Sequence, residues 1–181
     1  MIRPHHARAM VAAALFAAGA AAGPASANEL FGGVYAHGVD TPFTVDIHER
    51  GADIALGYRW NRLFGIGPLG GPAPYAFASV NSAGDTSLAA AGVAWKIGGP
   101  IFVRPGIGIA IQSGPSYRVR GDRRTDLGSR VLFEPELAIG VQAAPRVTIE
   151  ASWVHVSHAQ IFSHQNPGLD MIGVRIGFHL P

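Results

Sequence analysis

Cysteine is absent from all 181 residues, which excludes a disulfide scaffold, a cysteine-ligated zinc site and a thiol nucleophile. Charge is scarce: Asp, Glu, Lys and Arg together make up 14%, against about 25% in soluble domains. Lys96 is the single lysine. This low polarity is not that of a disordered chain, because 48% of the residues are hydrophobic. Beyond the N-terminus no window offers the roughly 18 consecutive apolar residues of a spanning helix, nor a sustained helical period, so helices that cross a membrane are excluded. Gly-x-Ser-x-Gly is missing too, which removes the α/β-hydrolase elbow. The length suits one domain.

Residues 1–27 read as a secretory signal. Arg3 and Arg8 supply a positive start, an apolar run follows from Ala9 to Ala22, and Ala25-Ser26-Ala27 forms a small-residue cleavage site before Asn28. The alternative, a membrane anchor, is too short to cross ~30 Å of hydrocarbon. The chain's pI of 9.4 suggests nucleic-acid binding only until this segment is set aside. Arg3 and Arg8 are two of the 14 basic residues, and none of the 12 acidic ones precedes Asn28, so residues 28–181 are neutral. No nucleic-acid partner is expected.

What the remainder has is alternation. From Ile101 to Gln112 the odd positions are Ile101, Val103, Pro105, Ile107, Ile109 and Ile111, against Phe102, Arg104, Gly106, Gly108, Ala110 and Gln112. From Arg130 to Gln142 the odd face holds Val131, Phe133, Pro135, Leu137, Ile139 and Val141, and the even face Arg130, Glu134, Glu136, Gly140 and Gln142. Period two is the signature of a strand with one greasy face. Glu29–His37, Ala52–Trp60, Pro74–Asn81, Thr86–Gly98, Arg146–Ser157 and Asp170–His179 fit the same template. Eight strands result, each near the ~9–11 residues that a tilted membrane strand needs. The turns at Gly98-Gly99-Pro100 and Ala143-Ala144-Pro145 are short. The loops Val39–Gly51, Ser113–Leu127 and His158–Leu169 are long, as is the Gly/Pro-rich link Asn61–Ala73.

Eight antiparallel strands with one apolar face make either a soluble lipocalin-like barrel, apolar inside, or an outer-membrane barrel, apolar outside. The polar faces favour the second: they mix small residues with isolated Arg and Glu, as a narrow ion-paired lumen requires. The expected architecture is therefore an all-β, eight-stranded antiparallel transmembrane barrel over residues 28–181. Short turns lie in the periplasm and the three long loops outside. Arg104, Arg130, Arg175, Glu134, Glu136 and Glu150 are read as lumen ion pairs. His37, His48 and His179 carry no sharp reading.

The seventh strand continues its apolar odd set, Val147, Ile149, Ala151 and Trp153, into His155 and Ser157. Asp170 has the parity of Ile172, Val174, Ile176 and Phe178 on the eighth. Pairing around the intervening loop is expected to bring Asp170 near Ser157 and diagonal to His155. Ionisable residues facing hydrocarbon are functional candidates. Ser, His and a carboxylate suggest a hydroxyl activated by imidazole. Read blandly, they are polar residues where strands end at headgroup level. The arginines of the Ser113–Leu127 loop, Arg118, Arg120, Arg123 and Arg124, are either a solvated run or a phosphate-binding set. His158 and His164 read as loop surface, and neither metal nor cofactor is expected.

The segment His155-Val-Ser157-His158-Ala159, followed by Asn166-Pro-Gly168-Leu-Asp170 and an amphipathic last strand, resembles the outer-membrane lipid A 3-O-deacylases of the PagL (acyloxyacyl hydrolase) family. The pair Phe133-Glu134 shares the resemblance. It implies a serine esterase on the outer surface of an eight-stranded barrel, removing the ester-linked acyl chain at position 3 of lipid A. Ser157 then matches the nucleophile, His155 the base, Asp170 the acid and Asn166 the oxyanion-loop asparagine, with a backbone N–H of His158 or Gly168 as second donor. The chain departs from the family in having Asp where Glu is common and His158 where Asn commonly follows the serine. The implied location is the bacterial outer membrane, with the site at the outer leaflet. Lipopolysaccharide is the implied substrate and outer-membrane lipid the surroundings, with a homodimer left open. A non-catalytic structural or adhesive barrel and a secreted lipophile carrier are the other classes.

Overall fold

The computed structural model describes residues 28–63, 71–116, 124–161 and 166–181. It contains eight long strands: β1 (Glu29–His37), β2 (Ala52–Arg59), β3 (Ala73–Asn81), β4 (Leu88–Ala94), β5 (Ile101–Gln112), β6 (Val131–Ala144), β7 (Val147–Val156) and β8 (Leu169–His179). Each pairs antiparallel with its neighbour in the chain, and β8 pairs with β1, so the sheet closes into a barrel. The fourth strand is shorter than the alternation suggests. After a break at Trp95–Lys96, Ile97–Gly98 resume its pairing with β5 in unchanged register. Closure leaves no open edge, which is what permits strands to sit in hydrocarbon.

Parity sets the two faces. On β5, Ile101, Ile107, Ile109 and Ile111 are 54–69% exposed on the outside, whereas Phe102, Arg104 and Ala110 are buried within. An outward band of this composition is the surface that a lipid-embedded barrel presents. The interior is filled rather than open, as eight strands demand. Glycine on the inward face makes room for rings: a Cβ at Gly57 would stand 2.3 Å from the Phe31 ring.

A chain of ion pairs runs through the lumen. Glu29 pairs with Arg59 and lies 3.6 Å from Arg104; Arg104 reaches Glu150 at 2.8 Å; and Arg175 joins Glu150 (3.1 Å) to Glu136 (2.6 Å). Two expected members differ. Glu134 accepts the Tyr75 hydroxyl instead of pairing with an arginine. Arg130 lies exposed just ahead of β6, donating to the Gln112 carbonyl at 3.2 Å, because its position is at the rim.

Above this polar layer, Leu132, Val154, Val156, Leu169 and Met171 pack with Leu127 from the loop after β5. Glu49 ties three loops together at this end. Its carboxylate accepts His37 Nε2 (2.9 Å), the Thr86 amide and hydroxyl (2.8 and 2.9 Å) and the Thr125 amide (2.6 Å). Burial alone would raise the Glu49 pKa, yet these hydrogen bonds outweigh it and hold the carboxyl below its usual range.

Candidate active site

On β7 the inward set is Thr148, Glu150, Ser152, Val154 and Val156, so Trp153, His155 and Ser157 project outward if no bulge intervenes. None does. Leu137 pairs with Trp153 and Glu136 with Val154, and the isolated bridge between Phe133 and Ser157 continues the same register. That bridge is closed by two backbone bonds, from Phe133 to the Ser157 carbonyl at 2.7 Å and back at 3.1 Å. Pro135 occupies the position opposite His155, and its missing N–H accounts for the gap in the ladder. The β6–β7 irregularity lies at Gln142–Ala144, at the other end.

Across the other edge of β7, His155 is directly opposite Asp170. The expected diagonal placement, with Asp170 nearer Ser157, is thus off by two residues. The direct pairing brings His155 Nδ1 to 2.6 Å from Asp170 Oδ1. A carboxylate only accepts, so Nδ1–H donates this bond and Nε2 is the imidazole's other nitrogen.

Asp170 shares the outward parity of Ile172 and Val174 but is fully buried. The loop after β1 folds over it. Val39 donates its amide to the Asp170 carbonyl (3.0 Å), Val45 to the Pro167 carbonyl (2.9 Å), and the Thr41 hydroxyl donates to Asp170 Oδ2. Sequence reading missed Thr41, because nothing in a loop threonine signals a partner 129 positions away. The same loop lays Phe43 edge-on to His155, ring centroids 6.0 Å apart, and against Trp153 at 5.5 Å. Phe43 remains 62% exposed, an apolar apron beside the imidazole.

The loop between β7 and β8 supplies the rest. Asn166 Oδ1 accepts the His158 amide at 3.0 Å, which engages that N–H and leaves the Asn166 NH₂ as its donor end. The His158 residue is wholly buried rather than at the loop surface; His164 lies outside the described residues. Gly168 has φ +68°, and a Cβ there would meet the Phe43 carbonyl at 2.7 Å and His155 Cε1 at 2.8 Å. Immediately after Ser157 the chain makes a turn with Ala159 at φ 51° and Gln160 at φ 60°, closed by Ile161 N–H to the His158 carbonyl at 2.9 Å. Of the loop arginines, Arg118, Arg120 and Arg123 lie outside the described residues. Arg124 donates to the Ser113 carbonyl at 3.4 Å. Among the described residues no group of three His, Asp or Glu is arranged to hold a metal.

Residues 50–179 match the family model described as "Lipid A 3-O-deacylase (PagL)". The chain belongs to this family. Ser157, His155, Asp170, Asn166 and Gly168 all fall inside the matched span, whereas Thr41 and Phe43 precede it. No curated protein matches. Among solved structures, the barrel is similar to "the outer membrane enzyme PagL", with 20% identity, a TM-score of 0.62, and coverage of 84% of this chain and 99% of that one. It is also similar to Neisserial surface protein A, with 10% identity, a TM-score of 0.54, and coverage of 84% and 97%. The N-terminal barrel domain of Pseudomonas aeruginosa OprF matches with 11% identity, a TM-score of 0.51, and coverage of 86% and 99%. At these identities the structural likenesses speak for the fold; membership rests on the family match.

Proposed function

We propose that this protein is a serine esterase of the bacterial outer membrane that removes the ester-linked acyl chain at position 3 of lipid A. Residues 1–27 are its secretory signal. The observation that carries the reading is the His155–Asp170 pair on the outward wall, with Ser157 two residues along the same unbulged face. A multi-chain lipid cannot enter an eight-stranded lumen packed with side chains, but it can lie against the wall.

In the proposed cycle the Ser157 oxygen attacks the ester carbonyl while His155 Nε2 takes the hydroxyl proton. Asp170 steadies the imidazolium that forms. The tetrahedral oxyanion draws on the Asn166 NH₂ and a backbone N–H; one such donor is worth ~2.7–4 kcal/mol. Collapse expels the sugar alkoxide, which takes the proton from His155. Water, deprotonated by the same nitrogen, then releases the fatty acid and frees Ser157. Phe133, paired to Ser157 and exposed outward, joins Phe43 and Trp153 as apolar surface beside the reacting ester. The arginines of the loop after β5 are assigned to the lipid A phosphates, for which guanidinium is well shaped.

Ser157→Ala should abolish release of the 3-position acyl chain while the barrel keeps its heat-modifiable gel shift. Mass spectrometry of lipid A incubated with wild type and variant checks this. Continued deacylation by the variant would remove Ser157 from the mechanism, and lipid A left intact by the wild type would leave a structural or adhesive barrel.

A further inference from the structure

A buried carboxylate has two oxygens to satisfy, and leaving either unpaired is costly. At Asp170 they are satisfied from different parts of the chain: His155 from β7 takes Oδ1, and Thr41 from the loop after β1 takes Oδ2. An aspartate held at one oxygen alone still turns about its Cβ–Cγ bond, and the imidazole bound to it turns with it. A second bond on the other oxygen fixes the carboxylate plane.

The Thr41 hydroxyl is itself held in place. It accepts the Phe43 amide at 3.0 Å, while the Thr41 amide donates to Thr44 Oγ1 at 3.0 Å and the Thr44 amide to the Thr41 carbonyl at 3.2 Å. With one lone pair on Phe43 N–H and its proton directed to Asp170, the hydroxyl has a single rotamer. Residues 39–45 of the loop after β1 form a strap whose ends, Val39 and Val45, are bonded to the Asp170 and Pro167 carbonyls, so this rotamer is referred to the very segment that carries the acid.

From this geometry we propose that Thr41 is a positioning residue for the hydrolysis, acting through Asp170 on the orientation of His155. The proposal rests on the esterase reading of Ser157, His155 and Asp170. The Thr41 hydroxyl is bonded to the acid and to the Phe43 amide rather than to Ser157 or the His155 ring, so its loss is expected in turnover more than in substrate binding.

The test compares the full-length wild type with Thr41→Val, Thr41→Ser, Thr44→Val and Ser157→Ala in mixed micelles of lipid A, reading kcat and KM separately. Thr41→Val keeps the shape and removes the hydroxyl, both its proton to Asp170 and its acceptor for the Phe43 amide. Its kcat should fall about ten- to a hundredfold, the range for a hydrogen bond to a charged group, with KM within about twofold. Thr41→Ser should restore kcat to within about threefold of wild type, and all variants should keep the heat-modifiable gel shift. Thr44→Val removes a hydroxyl that braces the Thr41 backbone but does not touch the acid, so its kcat should fall by much less than that of Thr41→Val. Unchanged kcat in Thr41→Val, a loss confined to KM, no recovery by serine, or an equal fall in Thr44→Val would each overturn the role of Thr41. If the wild type is inactive or Ser157→Ala is active, the esterase reading fails first and this proposal goes with it.

Discussion

Gly168 is the residue on which the site leans hardest without contributing a functional group. Its positive φ belongs to the region where a Cβ costs about 1–2 kcal/mol. The space where that Cβ would sit is already shared by the Phe43 carbonyl and the His155 ring. Gly168→Ala therefore has two separable effects. Stability should fall by more than the ~1–2 kcal/mol of the φ alone, because the Cβ also meets a backbone carbonyl that cannot give way freely. Deacylation should fall by about a hundredfold, because the imidazole is displaced by a substantial fraction of an ångström. A lowered urea-unfolding midpoint in a barrel that still folds, measured beside a lipid A assay, checks both. At this scale the sequence was half legible. Parity along β7 and β8 identifies His155, Ser157 and Asp170 as outward polar residues among apolar neighbours. The partner of Asp170 was not legible, since a hairpin loop as long as His158–Leu169 leaves register open. Thr41 was not legible at all, being tied to the acid only by a loop folded back in three dimensions.

Among the elements, the turn after Ser157 departs furthest from local preference. Two central residues with positive φ and a closing bond from the Ile161 amide to the His158 carbonyl make a type I′ turn. Asn-Gly is the pair that fits this turn, because both tolerate the left-handed region; here the pair is Ala159-Gln160. The mismatch is maintained directly beside the candidate nucleophile, where strained backbone is characteristically found. Replacing Ala159-Gln160 by Asn-Gly should relieve it and stabilise the protein by about 1–2 kcal/mol, seen as a higher urea midpoint. A lower midpoint would mean that the native side chains contribute packing that outweighs the strain. The strands themselves were legible almost throughout, because alternation depends only on which face meets hydrocarbon. The break in the fourth strand at Trp95–Lys96 was not, since the same alternation runs across it.

For the whole molecule, six buried charges of the described interior, Arg59, Glu29, Arg104, Glu150, Arg175 and Glu136, form one connected chain of ion pairs. Glu150 lies at its centre, receiving Arg104 from β5 and Arg175 from β8. Removing one partner from a buried ion pair strands the others, typically at about 3–5 kcal/mol. Glu150→Gln should accordingly lower the unfolding midpoint by that order while leaving the lipid A product unchanged, because the network faces away from His155. Loss of the product with an intact fold would show that lumen and outer wall are coupled. The architecture was legible from composition: one lysine, sparse isolated Arg and Glu, and glycine on the polar face read as a filled lumen. The particular pairings, such as Tyr75 with Glu134, depend on register and shear and could not be read from the chain.

The outward direction of His155 changes the dimensionality of the encounter. A pocket open to water collects its ligand from a volume, at a rate set by molarity. A site on the side of a membrane-embedded cylinder collects it from a plane, by molecules drifting laterally among their neighbours and meeting the wall at the right azimuth. For the proposed esterase the effective dose would be the fraction of the leaflet made of substrate. Crowding, leaflet fluidity and the orientation of each lipid toward the barrel then set the pace, and a soluble ester of the same chemistry would seldom arrive.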